Sequence, residues 1–77
     1  MRVSKHEYSM LALAIMAAED IAREKKISRQ KAYSRFMASK TGEILFDEST
    51  GLWMNGPDYI AHEFYEEIKR RKARQYK

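Results

Sequence analysis

Between Tyr8 and Ala22 the chain repeats apolar residues at helical spacing, and this stretch constrains the fold more than any other. Tyr8, Leu11, Ala12, Ile15 and Ala22 recur at three- and four-residue steps, as one buried side of an α-helix requires. Leu13, Met16, Ala17 and Ile21 widen the stripe beyond what a surface helix needs. The extra apolar surface must be covered, either by the other helices or by a second chain, so a homodimer through helix one is an expected partner state. The start is marked by a capping box, with Ser4 accepting from the Glu7 amide and the Glu7 carboxylate reaching back. The pattern predicts a helix from there to about Lys26, with His6 an exposed first-turn residue.

The fully apolar run, Leu11–Ala18, is only eight residues long and is bracketed by Lys5, His6 and Glu7 and by Glu19 and Asp20. It is too short to cross a bilayer and lacks a secretory cleavage pattern. The chain has no cysteine, which removes disulfides, thiolate zinc sites and thiol nucleophiles together and fits a reducing compartment. The expectation is a cytoplasmic protein with no membrane partner. At 77 residues it forms one domain, which buries only about 60% of its extended surface.

A break at Ile27–Ser28 separates helix one from a second helix over about Arg29–Ser39. Ser28 is suited to the N-cap, and Ile27 can staple against Ala32. Ala32, Tyr33, Phe36 and Met37 are expected to face inward. Thr41–Gly42 is expected to end this helix, with Gly42 in the left-handed conformation common at helix termini. Residues Glu43–Asn55 admit two readings. Ile44–Phe46 and Leu52–Met54 flank a turn and resemble a short hairpin, or the segment forms a short helical or irregular stretch tucked under the helices. The second reading is preferred, because neither half alternates cleanly and an isolated hairpin is marginal. The last helix is announced by Asn55–Gly56–Pro57–Asp58, with proline in the first turn and an acid at the positive end of the dipole. Ile60, Phe64 and Ile68 form its core stripe, with Tyr59, Ala61 and Tyr65 alongside. The fold class is therefore all-α: three principal helices in a single domain over 1–77, a short segment between the second and third, and 69–77 a basic extension of the last helix.

The net charge of +4 hides a sorted layout. Residues 1–42 hold nine Lys/Arg against four Asp/Glu, residues 43–68 hold seven acids and no base, and residues 69–77 hold six bases and no acid. Such segregation points to electrostatic contact with a partner or within the molecule. Basic residues also suit a helix C-terminus, which accounts for part of the tail.

The helix–Ile27–Ser28–helix unit resembles a DNA-binding helix-turn-helix, in which the second helix enters the major groove. Arg29, Gln30, Lys31 and Arg35 would then meet phosphates and base edges, assisted by Lys69, Arg70 and Arg71. Against this, Lys26 stands where the turn usually has glycine, and Arg35 falls where an apolar residue is usual. A wing over 43–54 would carry Glu43, Asp47 and Glu48 and repel the DNA backbone. His62 shares a helix face with Asp58 and Glu66. His62–Glu63–x–x–Glu66 lacks the second histidine of a zinc-protease helix, so no metal or other cofactor is expected. No nucleophile elbow or phosphate loop is present. Trp53 reads either as a core plug or as an exposed interface anchor.

Ile27–Ser28, Ala32–Tyr33, Leu52–Trp53–Met54 and Gly56–Pro57–Asp58–Tyr59–Ile60 together resemble a family of short bacterial proteins, the domain of unknown function 3791. The likeness spans about residues 8–68. Trp53 stands where that family more often has histidine, so any role of that histidine does not carry over. The resemblance implies a small helical domain with a partner-binding or antitoxin-like role. The expected function is a non-enzymatic protein-interaction module whose acidic segment, with Trp53, Tyr59, Glu63 and Glu66, meets a basic protein. The alternative is a small nucleic-acid-binding regulator.

Overall fold

The computed structural model describes residues 5–75. Its order is α1 (Lys5–Lys25), α2 (Arg29–Ala38), α3 (Lys40–Leu45), two 3-10 turns (Glu48–Thr50 and Leu52–Met54) and α4 (Pro57–Gln75). No strand occurs among the described residues. This is the expected all-α domain, and the segment after α2 is helical rather than a hairpin. The capping role expected of Ser4 and the exposure expected of His6 lie outside what is described, as do Tyr76 and Lys77.

α1 ends in a Schellman turn. Lys26 takes φ +56°, and the Ile27 amide donates back to the Ala22 carbonyl at 3.1 Å. Ala22 is buried and Ile27 packs against the same core, supplying the apolar pairing that accompanies such a turn. Lys26 thus adopts the conformation that glycine adopts without cost. Ser28 then caps α2, accepting from the Lys31 amide at 3.1 Å.

The end of α2 differs from expectation. The break falls at Ser39, and Thr41–Gly42 lie inside α3. The Ser39 hydroxyl donates to the Phe36 carbonyl at 2.5 Å and accepts from the Gly42 amide at 3.0 Å, closing one helix and opening the next. Gly42 is not left-handed. It is glycine because α3 folds back so closely that a Cβ there would overlap the Phe36 carbonyl oxygen. The left-handed glycine is Gly51, at φ +72°, which ends the first 3-10 turn and starts the second.

Ala14, Ala17, Ala18, Ile21 and Ala22 of α1, Ala32 and Phe36 of α2, Leu45, Leu52, and Ile60, Ala61 and Phe64 of α4 make the core. Phe36 and Phe64 meet across it with ring centres 5.9 Å apart. The buried side of α1 is therefore not the one that the larger residues suggested. Met10, Ala14, Ala17, Ala18, Ile21 and Ala22 face inward, whereas Tyr8, Ile15 and Met16 are exposed. Alanines let neighbouring helices approach closely, and the bulkier residues are left on the outer side. Met37, expected inside, is likewise exposed.

Candidate interaction surface

α2 runs back along α1. The Arg29 guanidinium reaches the Glu19 carboxylate at 3.3 Å, and Tyr33 shares a shallow groove with Ile15 and Ala18. The surface of that groove is almost entirely apolar, although Glu19, Arg29 and Gln30 also line it. On the α1 side Tyr8, seven residues before Ile15 and so on the same side of the helix, is 70% exposed, and Met16, one position further round the helix, is 48% exposed. One turn beyond Tyr33, Met37 is 38% exposed. From Tyr8 to Ala18 there is no charged residue.

A second feature lies between α3 and α4. Glu67 is only 7% exposed. Its carboxylate accepts from the Lys40 amide at 3.0 Å, the Thr41 amide at 2.8 Å and the Thr41 hydroxyl at 2.7 Å. Arg71 pairs with it at 2.8 Å. Burial alone would raise the Glu67 carboxyl. The Thr41 hydroxyl, the two amides and Arg71 outweigh that effect and hold it below the usual carboxylate range. Above it opens a groove of about 800 Å³ with Ile44 and Leu52 among its apolar lining and Tyr59, Glu63 and Arg70 among its polar lining.

The residues expected to bind a protein partner are thus divided. Tyr59 and Glu63 line that groove, whereas Trp53 and Glu66 do not. Trp53 is half-buried against the core, and its indole N–H donates to the Glu48 carbonyl at 3.1 Å. Glu66 pairs with Lys69 at 3.6 Å. The acids at the start of the 43–68 segment gather near the N-terminal end of α1, where Glu43, Asp47 and Glu48 join Glu7 around Met10 and Phe46. Asp47 is occupied by Ser49, whose hydroxyl and amide donate to it at 2.7 and 3.0 Å and lower its pKa. Among the described residues no group of His, Asp and Glu is arranged to hold a metal ion, His62 with its neighbours included.

The residues expected to meet nucleic acid lie on α2 and near the end of α4. Three of them already face a carboxylate: Arg29 at Glu19, Lys69 at Glu66 and Arg71 at Glu67. Lys31, Arg35 and Arg70 are exposed, and Gln30 lines the apolar groove. Tyr65 bridges α4 to α1. Its hydroxyl lies 3.5 Å from Asp20, and Lys25 sits 5.4 Å above its ring. Burial, then the charges of Asp20 and Glu24, push its pKa up to about 12.

No family model, curated protein or solved structure matches the chain. No helix among the described residues is long and apolar enough to cross a membrane. Two features escaped the sequence reading. Glu67 was counted only among the seven acids of residues 43–68, although it falls on the buried side of α4, seven residues after Ile60 and three after Phe64. The outward position of Ile15 and Met16 was hidden by the apolar character of nearly every side of α1, and that of Met37 by its place in α2 beside the buried Phe36.

Proposed function

We propose that this chain is a non-enzymatic protein-interaction module that docks through the outer face of α1 and α2. The observation that carries the reading is a nearly apolar groove lined by Ile15, Ala18 and Tyr33, together with the exposure of Tyr8, Ile15, Met16 and Met37 on the same two helices, in a chain that has few large apolar residues to spare for its core. Single exposed hydrophobes are ordinary, but a continuous patch with a polar rim marks an interaction surface. Met and Tyr are among the residues enriched at such surfaces. The face of the acidic segment is a weaker candidate, because Trp53 is committed to the core and to Glu48.

The test is site-specific photo-crosslinking in the source cells, with the reactive side chain placed at Ile15, at Met37 and, as a control away from the groove, at Lys31. Adducts at positions 15 and 37 but not at 31 are expected. Absence of adducts, or equal adducts at position 31, would overturn the docking face.

A further inference from the structure

We infer that the partner on this face is a second copy of the chain, packed about a two-fold axis; the inference rests on the docking face proposed above. An isologous interface sets one patch against itself, so any net charge in its centre repels its own image. The α1 part of the face meets that requirement, since Tyr8 to Ala18 carry no charge. The one acid and one base that line the groove, Glu19 and Arg29, already pair with each other at 3.3 Å, so the groove presents no unmatched charge to its own image. A strongly basic partner would instead be drawn to the acids of residues 43–68, and an acidic one to the basic end of α4. The uncharged face attracts neither.

Surface area points the same way. A folded monomer of 9.1 kDa exposes on the order of 4,900 Å² by the size scaling of monomeric proteins, whereas this chain exposes 5916 Å². The surplus, about 1,000 Å², compares with the roughly 800 Å² that each partner contributes to an interface of standard size. The radius of gyration is 12.7 Å against about 11.5 Å expected for this length. Part of the surplus belongs to the exposed basic end of α4, and part to large apolar side chains left exposed, Tyr8, Ile15, Met16 and Met37 on α1 and α2 and Met54 and Tyr59 elsewhere.

Sedimentation equilibrium of the purified full chain over a wide concentration range tests this. The mass is expected to rise from 9.1 kDa to twice that value. Ile15→Asp is expected to move the midpoint to higher concentration by on the order of tenfold or more, with an unchanged helical circular-dichroism spectrum, and Lys31→Asp is expected to leave it in place. A second face variant, Met37→Asp, guards against a folding defect specific to position 15. A wild-type chain that stays at 9.1 kDa throughout, or a dimer that tolerates both face variants, overturns the inference. A monomeric chain that still gives adducts with a different protein at positions 15 and 37 would overturn the second copy and leave the docking face standing, whereas no adducts and no dimer would remove both.

Discussion

α1 and α2 meet in a core built from Ala14, Ala17, Ala18, Ile21, Ala22, Ala32 and Phe36, to which neither helix contributes a buried polar side chain. α3 meets α4 differently. The three buried polar side chains among the described residues, Ser39, Thr41 and Glu67, all lie at that corner, and one carboxylate caps the first turn of a helix 26 residues earlier in the chain. The first joint depends on shape and tolerates replacement of one apolar group by another of similar volume. The second depends on satisfying several donors at once, and removing a single partner strands the rest.

The comparison breaks most sharply at Glu67. Glu67→Ala leaves two amides, a hydroxyl and a guanidinium without their acceptor and is expected to cost about 3 kcal/mol. That is a large share of the roughly 4–12 kcal/mol available to a chain of this length, and urea denaturation reads it as a lower midpoint. The same residue sets an acid limit. Above its ordinary value of 4.5 the carboxyl is ionised in both states and its contribution is complete. Below that value the unfolded chain takes up the proton first, so stability falls until the folded carboxyl is protonated as well. In Glu67→Gln this part of the acid loss is expected to disappear, leaving a flatter stability profile below pH 4.5.

Gly42→Ala sharpens the contrast from the steric side, because the new Cβ overlaps a backbone oxygen that cannot swing away. A loss of about 2 kcal/mol is expected by the same denaturation assay. The smallest effect lies at the α1–α2 joint and has the opposite sign. Lys26→Gly removes a side chain from a left-handed position and is expected to raise stability by about 0.5–1 kcal/mol. If it destabilises instead, the Schellman geometry at the end of α1 is wrong.

Much of this architecture was legible where a single residue type has one physical use. Ser28 caps α2, and Pro57 with Asp58 opens α4, because a hydroxyl acceptor and a missing N–H fit those positions and few others. The all-α class followed from the spacing in α1 and α4. What failed were inferences that needed a neighbour. Periodicity cannot choose a buried side when Tyr8 to Ala18 are apolar or small nearly all round, and the choice fell to the alanines because they allow close approach. Gly42 suited a helix end by type, but its reason is the distance to Phe36, invisible in one dimension. Glu67 was hidden for the same cause, since the amides and hydroxyl that it accepts from are 26 and 27 residues away. Of the candidate site, the apolar surplus of α1 was legible, whereas its location on the outer side was not.

The shared cap at Ser39 has a consequence for how the native chain opens. One hydroxyl holds the last turn of α2 and the first of α3, and the amides of Lys40 and Thr41 beside it are held by Glu67 from α4. These hydrogens cannot be released one at a time by fraying, because α2 and α3 have no free end between them. Their exchange with solvent deuterium should therefore advance as one step, at a common rate set by α4 lifting away, although residues 39 and 67 sit far apart along the polymer.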